Sequence, residues 1–230
     1  MRSPLPFIVV GAASLVQAQS NGCPDGYTYG NDTVLFTVPY SYPQVMSIIG
    51  SYGNLTWSGN PDGTVALNGS DNAVGTAREY DLVGAHIVET ITEYSKPAEG
   101  PYFESHVLAS VTLPSANLTA YSDYDATTVT SICGGRASTF NMTINFCANN
   151  APMAAAVFHK LHLTDATTVG VFLGGQNFSS CAALNGTTQP TVTSSTSPPV
   201  ATATISNGLS NLAPMGLLVV AGCGLILQLL

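Results

Sequence analysis

Apolar and polar positions alternate over residues 33–40 (TVLFTVPY), and most of these residues are β-branched or aromatic, which predicts a strand. In the next segment, YPQVMSIIGSYGNLTW, the period changes. Val45, Ile48, Ile49 and Tyr52 recur at helical spacing behind a proline start, which predicts a helix. GTVALNG predicts a short strand. Residues 74–81 and 85–94 predict a hairpin turning at Val83-Gly84, with further strands over 102–112, 118–124 and 137–147. The last periodic segment is APMAAAVFHKLHLTDATTVGVFLGG, with Pro near its start, an Ala-rich body and a closing Gly pair. It predicts a long helix whose C-terminal half is weakened by Thr167, Thr168 and Val169. Strand, helix, a run of strands and a final helix predict an α+β domain, a curved antiparallel β-sheet gripping one long C-terminal helix. The space between such a sheet and its helix is either filled by side chains or holds a ligand.

The two ends follow different patterns. Met1 and Arg2 precede an apolar run, and Val16-Gln17-Ala18 offers small residues at signal-peptidase offsets. Residues 1–18 therefore read as a secretory signal peptide, because the run is shorter than the roughly 20 residues a membrane span needs. Residues 186–206 are almost wholly Thr, Ser, Pro, Ala, Val and Gln, the composition of an extended, O-glycosylated stalk. Residues 207–230 end apolar, with no Lys or Arg after Lys160. Small residues at Ser206-Asn207-Gly208, a spacer and an apolar tail make a GPI-anchor signal with Ser206 as the attachment residue. A tail anchor or a buried helix is the competing reading. Residues 19–185 are left as one domain with room for a real core.

Composition then narrows the partners. Loss of Arg2 leaves four of the five Lys and Arg residues against thirteen Asp and Glu. An acidic surface repels nucleic acid and anionic headgroups, so contact with a membrane is expected through the anchor alone. Of the five cysteines, Cys223 lies in the tail, and Cys23, Cys133, Cys147 and Cys181 remain for two disulfides. Three connectivities are open; Cys23 with Cys181 and Cys133 with Cys147 is the pairing expected here. Asn31, Asn54, Asn68, Asn117, Asn141, Asn177 and Asn185 each head an N-x-S/T sequon, a candidate surface glycosylation site.

The chain is charge-poor, yet VGTAREYDLVGAHIVETITEY holds Arg78, Glu79, Asp81, His86, Glu89 and Glu93. With a tight turn, Arg78 falls opposite or diagonal to Glu89, and a cross-strand pair of this kind contributes roughly 0.2–1 kcal/mol and fixes register. Ile87, Glu89 and Ile91 share one face, and the two aliphatics mark it as the core side. Glu89 is then carried inward, where a carboxylate needs a partner or a proton. His86 and Tyr94 fall on the opposite, outer face. His106 shares parity with Tyr102 and Glu104, Arg136 sits at a turn, and Trp57 reads as a packing residue. His159 and His162 are three apart on the last helix, but nothing completes a metal motif, so no metal and no cofactor is expected. No nucleophile elbow, H-E-x-x-H, P-loop or dinucleotide fingerprint is present.

The Gly75–Arg78–Gly84–Glu89 pattern of this hairpin resembles that of the START-like superfamily, also called the helix-grip or SRPBCC fold. TVPYSYPQVMSIIGSYGNLTW is similar to that superfamily's opening strand and helix, and the Ala-rich segment stands where its gripping helix lies. The resemblance covers roughly residues 33–173. It implies a ligand cavity, with Glu89 as a lining residue, beside Arg78, Ile87 and Ile91. Superfamily members include lipid-transfer, birch-pollen-allergen-like and polyketide cyclase-like proteins. Three functions stay open: a surface protein binding a hydrophobic or amphipathic small molecule, a cyclase- or dehydratase-like enzyme, and a structural wall glycoprotein without a ligand. The sequons, stalk and anchor signal suit a secreted protein of the kind seen in fungi.

Overall fold

In the computed structural model, which describes residues 22–61, 63–82 and 84–186, the alternating segments pair into a single antiparallel sheet. The signal segment 1–18, the stalk beyond residue 186 with Ser206, and the tail with Cys223 lie outside the described residues. Seven strands, β1 (Thr28–Val38), β2 (Ala66–Asn68), β3 (Ala77–Leu82), β4 (Ala85–Ser95), β5 (Tyr102–Leu113), β6 (Leu118–Ile132) and β7 (Ala137–Ala148), stand in the order β1-β7-β6-β5-β4-β3-β2. One helix, α1 (Tyr42–Ile49), joins β1 to the far edge; the other, α2 (Ala151–Phe172), packs against β1, β7 and β6. This is the expected α+β helix-grip arrangement.

Local chemistry sets the helix ends. Gln44 Oε1 accepts from the Ser41 backbone N–H at 2.9 Å, and Pro43 occupies the first turn of α1. The helix stops at Gly50, so Tyr52 is buried beyond it rather than on it. In α2, Asn150 Oδ1 accepts from the Met153 N–H at 3.2 Å. Thr167 does not interrupt the helix, because its hydroxyl donates back to the Leu163 carbonyl at 2.7 Å. The buried stripe of α2 runs Ala151, Ala154, Phe158, His162, Ala166 and Val169; its alanines let the helix lie close to the sheet.

Three strands carry register shifts, in β4 between Ile91 and Glu93, in β5 on either side of Leu108, and in β6 between Ser122 and Tyr124. Bulges bend and twist a sheet, which curves it around the helix. The β4 bulge also reverses parity. Tyr94, expected on the outer face, turns inward, packs on the core and meets Tyr102 edge-on at 5.7 Å. His86 is exposed as expected, 3.0 Å from Asp81.

The disulfides are Cys23–Cys147 and Cys133–Cys181, not the expected pairing. Strand register explains the difference. Tyr29 lies beside Cys147, so the chain start meets the end of β7. Cys133 heads the β6–β7 turn, at the end of the sheet where α2 finishes, and Cys181 follows that helix.

Candidate functional site

The apolar core is divided. One cluster gathers Val38, Val45, Tyr102, Phe140, Met142 and Val169 at the α1 end; the other gathers Ile87, Leu108, Leu118, Ile144, Phe146 and Phe158 at the opposite end. Between them β3, β4, β5, β6 and α2 each present at least one buried ionisable residue. These are Arg78 on β3, Glu89 on β4, Glu104 and His106 on β5, Asp125 on β6 and His162 on α2, all 7–8% exposed. Unpaired charges at such depth would cost several kcal/mol each, so the belt must satisfy itself internally.

Arg78 and Glu89 lie directly opposite in the β3–β4 register, and Arg78 Nε donates to Glu89 Oε2 at 2.5 Å. The guanidinium stacks 4.1 Å over the Tyr52 ring and reaches the Tyr52 carbonyl at 3.3 Å. Tyr80 donates its hydroxyl to Glu89 Oε1 at 3.1 Å. Deeper in the belt, His106 Nδ1 is 3.2 Å from Glu104 Oε1, and Tyr102 donates to Glu104 Oε2 at 2.6 Å. His106 Nε2 stands 3.5 Å from Glu89 Oε1 and 3.6 Å from Asp125 Oδ2, too far for a hydrogen bond to either. Asp125 Oδ2 also faces His162 Nε2 at 3.5 Å. The result is a chain, Glu104–His106–Asp125–His162, in which carboxylates and imidazoles alternate.

Protonation follows from these neighbours. Burial would raise the Glu89 carboxyl, but Arg78 and His106 outweigh it and hold Glu89 down to about 2. Asp125 is likewise pushed well below the usual carboxylate range, where burial is overcome by His162 and His106. Glu104 is lowered, with burial opposed chiefly by the His106 hydrogen bond and by Arg78. Burial disfavours imidazolium at His106, yet Glu89 and Asp125 raise it well above 6.5; His162 is raised by Asp125 in the same way. Three cations, Arg78, His106 and His162, therefore balance three carboxylates. Asp165 is the surplus acid. It stands one turn beyond His162, and burial pushes it up to about 7 against the pull of His162 and Arg78.

A cavity of about 120 Å³ opens between the belt and α2. Arg78, Glu89, His106, Asp125, His162 and Asp165 line its polar part, and Ile87, Leu55, Trp57, Leu108, Phe158 and Leu161 its apolar part. Of the residues singled out in the sequence, Arg78, Glu89 and Ile87 meet here. Ile91, 1% exposed, is packed in the interior and is not part of the cavity wall. Trp57 packs on the core and also lines the cavity. His159 turns away from His162 and contacts Asp32 at 3.1 Å, so the two do not converge. Among the described residues no group of three or more His, Cys, Asp or Glu is arranged to hold a metal ion. Asp125 and Asp165 had not been identified from the sequence, and His162 had been singled out only for its spacing from His159. The four-residue spacing of Ala154, Phe158, His162 and Ala166 is the signal that places His162 on the buried stripe.

No family model matches the chain, and no curated protein matches it. Solved structures of similar outline include norcoclaurine synthase from Thalictrum flavum, in complex with dopamine and hydroxybenzaldehyde, at 8% identity and TM-score 0.45, covering 76% of this chain and 100% of that one. Ara h 8.0201 aligns at 12% identity and TM-score 0.46, covering 63% of this chain and 98% of its own. A protein from Nitrosospira multiformis aligns at 12% identity and TM-score 0.48, covering 61% and 94%. Scores below 0.5 carry no argument about chemistry. The helix-grip fold of this chain is read from its own strand order and helix placement.

Proposed function

We propose that this protein is a GPI-anchored cell-surface glycoprotein that holds a small amphipathic molecule between its sheet and its long helix. The observation that carries the reading is the two-sided cavity, with Ile87, Leu55, Phe158 and Leu161 on its apolar side and the charged belt on the other. An apolar body buried against the first side gains roughly 25 cal/mol per Å² removed from water. A polar end reaches Arg78 and Glu89, which orient it. The Arg78–Glu89 pair serves both roles considered from sequence, fixing register and lining the site.

Native mass spectrometry with solvent extraction, on the protein secreted from a eukaryotic host and deglycosylated, tests the binding. A discrete bound small molecule is the expected result. A protein that carries nothing and refuses a panel of lipids and aromatic polyketides would instead be a structural wall glycoprotein.

The anchor rests on the sequence of residues 186–230, with Ser206 as the attachment point, and places the domain on the outer face of the membrane, or in the wall after transfer. Treating intact cells with a phosphatidylinositol-specific phospholipase C should release the protein into the medium. Retention after treatment, together with extraction only by detergent in an unclipped form, would favour a tail anchor.

A further inference from the structure

We propose that Asp165 and His162 are a proton-transfer pair that enolises a small carbonyl compound in the cavity, Asp165 as the base and His162 as the acid. This rests on the proposed binding of a small molecule at that site and goes beyond it by assigning a reaction. The two imidazoles of the belt differ in one respect. His106 has carboxylates against both ring nitrogens, Glu104 at Nδ1 and Glu89 with Asp125 at Nε2. A proton removed from it would leave three buried carboxylates to share two cations, Arg78 and His162, so His106 is a fixed charge. His162 has a carboxylate only at Nε2, where Asp125 stands at 3.5 Å. Its Nδ1 is buried with no hydrogen-bond partner among the described residues, and the side chain, 9% exposed, lines the cavity. An imidazolium held in this way keeps one N–H that no described residue accepts.

Asp165 is its counterpart. It lines the same cavity three residues further along α2, and no hydrogen bond to another described residue holds its carboxyl. Such a carboxylate is a stronger base than one stabilised by donors. Asp125 contacts only the far side of the His162 ring and is a positioning residue.

The step balances without a co-reactant. An Asp165 oxygen takes a proton from the carbon next to the carbonyl; that C–H bond breaks and an O–H bond forms. The freed electron pair makes the carbon–carbon double bond, and the carbonyl oxygen receives the Nδ1 proton of His162, giving the enol. Reversal restores the ketone. If the proton on Asp165 exchanges with water first, the carbon returns labelled.

Deuterium exchange at the α-carbon of 2-tetralone in D2O, followed by proton NMR on the full secreted protein, tests this. Binding of the same ketone is read separately from Trp57, the single tryptophan, which lines the cavity. The wild type should bind the ketone and accelerate exchange. Asp165→Asn should keep binding and lose exchange by about 100-fold or more, the usual contribution of a positioned base. His162→Asn should also lose exchange, while His159→Asn, exposed on the same helix, should not. The exchange rate should rise with pH as Asp165 ionises and fall once His162 loses its proton. Asp165 is faced by His162, Arg78, Glu89 and Asp125, and His162 by Asp125, Asp165 and His106. Ketone that binds but exchanges no faster than in buffer overturns the pair while leaving the binding function standing. Exchange that survives Asp165→Asn also overturns it. A cavity that takes up neither this ketone nor any member of the lipid and polyketide panel overturns both readings.

Discussion

In the unfolded chain Asp165 ionises near 3.8, and in the folded protein burial moves it to about 7. Between those values the native state holds a proton that the unfolded state has released, so stability falls as pH rises from about 4 to about 7 and is level above that. Glu89 acts in the opposite sense. Held down to about 2, it contributes stability that is fully present above its unfolded value of 4.5 and is lost as pH falls through 2. His106 and His162, both raised, contribute stability that is fully present below 6.5 and is lost as pH rises through their folded values. Asp165→Asn removes the first of these effects and weakens the His162 one, because Asp165 is among the carboxylates that favour imidazolium there. The variant should melt level with the parent near pH 3.5 and above it at pH 8, by about 1–2 kcal/mol once partial solvent screening is allowed for. Thermal melts at the two pH values check this. Equal melting temperatures at pH 8 would mean that Asp165 is ionised there without strain. A residue whose removal stabilises the fold is one the fold does not need, in keeping with a role in chemistry.

At the scale of elements, the sequence was most legible where alternation was unbroken. Arg78, Ile87 and Glu89 sit on strands whose period of two runs cleanly across the hairpin, and their inward direction and pairing could be read directly. Legibility failed at the bulges. Asp123 is the extra residue of the β6 bulge, after which Asp125 faces inward; an inward Asp beside a parity change hides the strand's second half, so β6 runs to Ile132 instead of ending near Tyr124. The bulge in β4 hid the burial of Tyr94 in the same manner. In β5, Tyr102, Glu104, His106 and Leu108 are all buried, although only the first and last look like core residues. A polar belt across four strands and a helix resembles outward-facing positions when each strand is read alone. Its members lie on β3, β4, β5, β6 and α2, so no local motif contains them. Only the sheet order, with α2 laid across it, brings Asp125 to His162.

Over the whole molecule, covalent bonds and surface chemistry share one plan. Asn31, Asn68, Asn117, Asn141 and Asn177 are exposed, and Asn54 is half-buried; none of these lines the cavity. Glycans at these positions would cover the outer surface and leave the cavity accessible. The disulfides fix the two ends of the domain to opposite ends of β7. Cys23–Cys147 spans 124 residues, and Cys133–Cys181 spans 48. On loop-closure entropy alone these would contribute about 5 and about 4 kcal/mol. Replacing each pair by serine should therefore destabilise the domain, by about 1 kcal/mol more for the Cys23 pair than for the Cys133 pair. The two losses should also differ in kind. Without Cys23–Cys147, the start of β1 is held only by its ladder to β7, and amide exchange should speed up over residues 23–30. Without Cys133–Cys181, the tail after α2 keeps the Gln176 N–H bond to the Tyr40 hydroxyl at 3.0 Å but loses its covalent tie, so proteolysis should begin between 177 and 186 while the sheet stays protected. Peptide mapping under non-reducing conditions provides the first check. Recovery of Cys23 linked to Cys181 would contradict the β1–β7 register at that end, because Tyr29 opposite Cys147 leaves Cys23 beside β7 and far from the end of α2.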